Sequence, residues 1–181
     1  VDVFVLGGNN MAEMHPVLFS RMLDQRQKRG VRIIDFATRT TRTSMAADKS
    51  ILFKPQTDLA VANAICYEII KNNWVNQSFV KSHCNIMKGR TKMGYGLEDN
   101  YKFKDKPEGI SFSEFKTFLE DYTPEKVEKL SGVSAKDIKY MANYYGNPSK
   151  KVMSLWCMGP NQHTRGTWMN NLIYNIHLLT G

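Results

Sequence analysis

Short runs of β-branched and aromatic residues alternate along this chain with longer segments of helical periodicity, and that rhythm restricts the fold before any residue is considered singly. "VDVFVL" at residues 1 to 6 reads as a buried strand closed by glycines. "HPVLFSRMLDQRQKRG" at 15 to 30 follows, with Val17, Leu18, Met22 and Leu23 at helical spacing, basic residues in its last turn and Gly30 as a stop. "VRIIDFA" at 31 to 37 is a second strand. A strand, a helix of this length and another apolar strand make a βαβ unit, whose strands lie parallel and whose crossover is right-handed. "SILFK" at 50 to 54, ended by Pro55, and "KVMSLWC" at 151 to 157 supply two more strand candidates. The expected fold is α/β: an open, mostly parallel sheet flanked by helices, dinucleotide-binding-like, in a single domain spanning residues 1 to 181.

Further helices announce their starts. "TDLAVANAICYEIIKNN" at 57 to 73 offers Thr57 as N-cap, Asp58 in the first turn where the macrodipole favours it, and Leu59, Ala62, Cys66 and Ile69 on one face. Ser111 and Glu114 have capping-box spacing ahead of Phe112, Phe115, Phe118 and Leu119. Thr123 and Pro124 open a second helix that Gly132 ends, and Ser134 with Asp137 opens a third that stops at Gly146. Together these make a helical insertion over residues 111 to 147. "HTRGTWMNNLIYNIHLLTG" at 163 to 181 reads as a final helix, whereas 77 to 109 reads as a long irregular connection with short pieces of structure.

Lys plus Arg exceed Asp plus Glu by 25 to 17, a formal charge of +8 that suits an anionic partner or a solvated basic surface. The densest basic runs, "RQKRG" at 26 to 30 and "KDKPEG" at 104 to 109, lack interleaved aromatics, which argues against nucleic acid as a partner. No apolar run is long enough to span a bilayer. Cys66, Cys84 and Cys157 contain no C-x-x-C pair, and His15, His83, His163 and His177 lack metal-ligand spacing, so the chain offers no metal ligands and these residues read as packing or surface groups.

In an open parallel sheet, ligands bind beyond the carboxyl ends of the strands. After the first expected strand come Gly7, Gly8, Asn9 and Asn10; after the second, Ala37, Thr38, Arg39, Thr40 and Thr41; after the third, Gln56, Thr57 and Asp58; after the last, Met158, Gly159, Gln162, His163 and Arg165. Glycines let backbone approach a ligand closely, and helix N-termini favour phosphate. The loop "LGGNNMAEMHP" at 6 to 16 therefore suits a nucleotide-like molecule, although it departs from G-x-G-x-x-G and so disfavours a simple NAD site. Asp35 either accepts from a ribose or caps a turn, and Thr57 and Asp58 either bind a ligand or cap their helix.

Five blocks, "GGNNMAEMHPVLFSR", "FKPQTDLAVANAI", "GYGL", "LSGVSAKDIKYMANYY" and "MGPNQHTRGTWMNNLIYNIHLLTG", occur in an order that resembles the catalytic subunits of periplasmic dissimilatory nitrate reductases, within the dimethyl-sulfoxide-reductase superfamily. The resemblance runs from end to end. It implies a molybdenum enzyme with Mo-bis(molybdopterin guanine dinucleotide) and a [4Fe-4S] cluster, reducing nitrate to nitrite, with redox chemistry residing in the cofactor. It further implies a periplasmic location, a small cytochrome-type electron-transfer partner, and that this chain is an internal segment, inert alone, whose cluster-binding and metal-ligating cysteines lie upstream. A formate dehydrogenase or assimilatory nitrate reductase of the same superfamily is the alternative enzyme, and a noncatalytic nucleotide-binding module the alternative outside catalysis.

Carried over position by position, the resemblance assigns cofactor contacts to Gly7, Gly8, Asn9, Asn10, Met11, Ala12, Glu13 and Met14 in the first loop. It assigns others to Ala37, Thr38, Arg39, Thr40 and Thr41, chiefly through backbone; to Gln56, Thr57 and Asp58, the acid holding the nucleoside end; and to Met158 and Gln162 nearer the pterin. The family commonly has tryptophan where Gly7 stands and an aromatic residue where Pro160 stands. Arg165, in "QHTRG", has the forked guanidinium that orients a planar oxyanion and is the candidate catalytic residue; a structural ion pair on the helix's first turn is the alternative.

Overall fold

The structure, a computed structural model, describes residues 1–88 and 108–181. Four strands, β1 (Val3–Gly7), β2 (Arg32–Ala37), β3 (Lys49–Leu52) and β4 (Val152–Trp156), form one sheet in the order β3-β2-β1-β4. All three strand pairs are parallel, and Leu6 of β1 lies beside Asp35 on one side and Leu155 on the other. The connections hold α1 (Met11–Met14), α2 (Pro16–Arg29) and α3 (Arg42–Ala46) between the first three strands. Between β3 and β4 run α4 (Asp58–Lys71), α5 (Gln77–His83), α6 (Phe112–Leu119) with a 3-10 turn at Glu120–Tyr122, α7 (Pro124–Ser131) and α8 (Ala135–Gly146). After β4 come α9 (Met158–Asn161) and α10 (Gly166–Thr180).

The period-two alternation of the strands sorts their side chains onto two faces. Val3, Val5, Ile34, Phe36 and Ile51 point into the larger core, where they meet α4, α8 and α10 through Val61, Ile65, Met141, Ile173 and Ile176. Leu6 and Ile33 point the other way and pack with Met11, Phe19 and Met22. The helices of residues 111 to 147 are not a separate layer, since Leu119, Val127, Ile138 and Ala142 belong to the larger core.

Several local expectations hold for the reasons given. Gly30 and Gly132 take left-handed conformations at the ends of α2 and α7. Ser111 and Glu114 form a reciprocal capping box, and Thr123 caps α7. Ser134 caps α8, but Asp137 does not reciprocate and instead pairs with Lys49 at 2.8 Å. Gly146 is needed for a close approach, because a Cβ there lies 2.5 Å from the Trp74 ring.

Other expectations change. Thr57 stands at the N-cap of α4 without capping it; its hydroxyl donates to the Lys54 carbonyl at 2.6 Å and closes the preceding turn. The stretch beginning at Gln77 is helical through His83, capped by Asn76. Helices α1 and α3 replace what read as irregular loops. Helices of four or five residues show no periodicity, which is why pattern reading passes over them. Cys157 lies beyond β4, at the N-cap of α9, whereas Cys66 is buried in α4 and burial pushes its thiol up to about 12, leaving it protonated. The "GYGL" block and most of the 104 to 109 run lie outside the described residues. Among the described residues no helix is long and apolar enough to cross a membrane.

Candidate functional site

Because all four strands are parallel, their carboxyl ends, Gly7, Ala37, Leu52 and Trp156, define one edge of the sheet. The chain moves from β1 to β2 to β3 in one direction and then returns to place β4 on the far side of β1. This reversal opens a crevice between the loops that follow β1 and β4, the usual ligand position in such sheets.

Those two loops touch through backbone. Gly8 (φ 56°) donates its N–H to the Phe36 carbonyl at 2.8 Å, and its own carbonyl accepts from Gly159 at 3.0 Å. A Cβ on Gly8 lies 2.6 Å from Pro160 Cδ, and one on Gly159 collides with the Gly8 carbonyl oxygen. Asn9 adds a side-chain tie, its Nδ2 donating to the Leu155 carbonyl at 2.8 Å while its buried Oδ1 lacks a partner.

The first and second loops are laced by α3. Thr43, fully buried, accepts from the Ala12 N–H at 3.0 Å and donates to Asn10 Oδ1 at 3.1 Å. The adjacent Ser44 donates to Asp35 Oδ2 at 2.5 Å and accepts from the Thr41 N–H at 2.9 Å. Arg42 completes the series with an ion pair to Glu13 at 3.3 Å, and Asn10 Nδ2 reaches the same carboxylate at 2.7 Å. Asp35 lies within β2 and is fully buried, and desolvation holds its carboxyl above the usual carboxylate range. It thus neither reaches a ribose nor caps its own turn; it anchors Ser44.

The third and fourth loops meet at Asp58 and His163. Asp58 opens α4, is only 4% exposed, and has an Oδ1 with no hydrogen-bond partner. Its Oδ2 lies 3.3 Å from His163 Nε2, an ion-pair distance without hydrogen-bond alignment, so Nε2 is also unpaired. His163 Nδ1 accepts from the Arg165 N–H at 3.3 Å. Asp58, Gly7, Gly8 and Pro160 line the upper wall of an interior cavity of about 40 Å³ that descends between the sheet and α4 and α10 to Ile65 and Ile173. A space of that size holds about one water, not a cofactor, so a large ligand sits on the outer edge. The exposed Arg165 guanidinium stands over the Trp168 ring at 5.6 Å and makes no ion pair with a described residue, which removes the structural alternative there.

The family model for molybdopterin oxidoreductases matches residues 1–181, the whole chain. This chain belongs to the molybdopterin oxidoreductase family. Membership carries a molybdopterin-type cofactor with molybdenum, and redox chemistry as the function class. Among solved structures the chain is similar to acetylene hydratase from Pelobacter acetylenicus, with a TM-score of 0.75 and 18% identity over 99% of this chain. The likeness is one of fold, and this molybdopterin oxidoreductase chain spans 21% of that protein's length.

The residues that the sequence singled out fall into two groups in this member of the family. Gly7, Gly8, Asn9, Asn10, Ala12, Glu13, Thr38, Arg39, Thr40, Thr41, Gln56, Asp58, Met158, Gln162 and Arg165 all lie on the loops or short helices that leave the carboxyl edge. Of these, Thr38, Arg39, Thr40, Gln56, Met158, Gln162 and Arg165 are solvent-exposed, and Gln56 has a left-handed backbone (φ 65°) that turns the third loop outward. Met11 and Ala37 are buried, leaving only their backbone to meet a ligand; Met14 is exposed at the far end of α1, and Thr57 is spent on its own turn. Thr43, Ser44 and His163 were missed as members of the site. Ser44 stands three residues after Thr41, the spacing of a capping box, which is the one local signal for it. His163 has no signal at all, because its partner Asp58 is 105 residues distant in the chain.

Proposed function

We propose that this chain is part of the cofactor cradle of a nitrate reductase that carries Mo-bis(molybdopterin guanine dinucleotide) and reduces nitrate to nitrite. One observation carries the reading: four strand-end loops meet at a single edge, with unpaired buried acceptors on Asp58 and Asn9 and an unpaired guanidinium on Arg165. The acceptors fit the group. A buried carboxylate oxygen without a donor is costly unless a ligand supplies one, and a guanine edge offers an N–H and an amino group side by side. The exposed hydroxyls and amides of Thr38, Thr40, Gln56 and Gln162 suit pyrophosphate and sugar oxygens, and the close Gly8–Gly159 pairing keeps the two flanking loops in register around them. The bound group supplies the oxygen-transfer and electron chemistry. Arg165 supplies two parallel donors that match a planar anion and hold it in one orientation.

The excess of positive charge suits a host for several phosphates and an anionic substrate. A [4Fe-4S] cluster bound by another part of the protein, a periplasmic location and a small cytochrome-type electron donor belong to the same reading and rest on the block resemblance. The test is the whole enzyme with nitrate and, separately, formate, in the natural form and as Arg165→Gln. Loss of a charged hydrogen-bond partner is expected to raise the KM for nitrate by roughly tenfold to hundredfold with cofactor content unchanged. Formate oxidation without nitrate reduction, or an unaltered nitrate KM in the variant, overturns the assignment.

A further inference from the structure

We infer that His163 is a positioning residue that sets base specificity, holding the Asp58 carboxylate so that it selects guanine at the nucleoside end of the site. The inference rests on the cofactor-cradle reading and adds to it a residue that neither the motif spacing nor the block resemblance assigns. Its argument begins with the tautomer. The Arg165 N–H donates to His163 Nδ1, so that nitrogen presents its lone pair and the proton of the neutral ring sits on Nε2. Nε2 in turn faces Asp58 Oδ2 at 3.3 Å, with the two side chains 19% and 6% exposed. The imidazole therefore links the backbone at the start of α10 to the carboxylate at the start of α4.

The consequence lies in what remains free on Asp58. Oδ2 has the histidine beside it and keeps a second lone pair, while Oδ1 is buried and has no partner. A carboxylate fixed in this way presents two acceptors toward an incoming base. Guanine satisfies both, through its ring N–H and its amino group. Hypoxanthine satisfies one, and adenine opposes a lone pair to a lone pair. A site built to receive two hydrogen bonds rejects a base that lacks one of them more strongly than it favours the right one, because a buried polar group is left unmet. Without His163 the carboxylate is free to rotate about its side-chain torsion, and the second acceptor loses its direction.

The experiment titrates GDP and IDP calorimetrically into the cofactor-free full chain as wild type, His163→Leu and His163→Gln. Wild type is expected to prefer GDP, and His163→Leu to reduce the GDP-to-IDP affinity ratio by roughly tenfold, the scale of one hydrogen bond to a charged group. His163→Gln, whose amide nitrogen reaches the place of Nε2, is expected to restore most of the preference, which a loss of packing alone does not explain. A His163→Leu chain that keeps the wild-type ratio overturns the role of His163 while leaving the cradle reading intact. Wild-type protein that binds neither nucleotide overturns the cradle reading. The nitrogen chemical shifts of His163 in the wild-type chain provide a check that needs no variant: protonation at Nε2 is expected, and protonation at Nδ1 alone refutes the arrangement.

Discussion

At the scale of single residues, the site depends on atoms that are missing. Gly159 lies where any side chain collides with the carbonyl oxygen of Gly8, a backbone atom that has no rotamer with which to move aside. Gly159→Ala is expected to force the first and fourth loops apart and to lower stability by about 1–3 kcal/mol, the usual range for overpacking. The urea midpoint measures it, and an unchanged midpoint shows that the loops do not touch as described. Gly8 has the additional constraint of φ 56°, which an L side chain rarely adopts, so both partners of the contact are glycine for different physical reasons. Both glycines were visible in the sequence, but only their proximity explains why two are required.

At the scale of elements, α3 is the smallest piece with the widest reach. It is five residues long, too short to be stable alone, yet three consecutive side chains fasten three different places: Arg42 to Glu13, Thr43 to Asn10 and the Ala12 amide, Ser44 to Asp35. Thr43→Val preserves shape and removes the hydroxyl, leaving the Ala12 N–H and Asn10 Oδ1 without that partner. The expected cost is about 1–3 kcal/mol, with faster amide exchange at Ala12, while amides of α4 keep their protection. Equal acceleration in α1 and α4 tells against a local staple. The exposed Arg42–Glu13 pair adds little to this, since both groups are solvated.

At the scale of the whole molecule, β4, α8 and α10 are joined through a buried polar group: Ser154 Oγ lies 2.7 Å from Tyr145 OH and 2.8 Å from His177 Nε2. Burial holds the His177 imidazole below its ordinary pKa of 6.5, so the unfolded chain takes up the proton first. The sign follows from linkage: stability is full above pH 6.5 and falls as the pH drops below it. Denaturation midpoints between pH 7.5 and 5.5 are expected to decline in the natural chain and to decline less in His177→Gln; parallel curves exclude His177 as the cause. The same comparison of near and far contacts explains what was legible beforehand. Strand β1, helix α2 and strand β2 could be read from periodicity, and the caps at Ser111, Thr123 and Ser134 from spacing, because each depends on neighbours within a few residues. The strand-end loops were legible as polar and glycine-rich for the same reason. The sequence by itself determined the α/β class, the parallel direction of the strands and the set of loops from which a site could be drawn. Only the tertiary structure decided the sheet order, the contact of Gly8 with Gly159, the burial of Asp35 beneath Ser44 and the meeting of Asp58 with His163. Local propensity acts over one or two turns of chain, whereas those contacts join segments whose approach is set by how the two cores pack against the sheet.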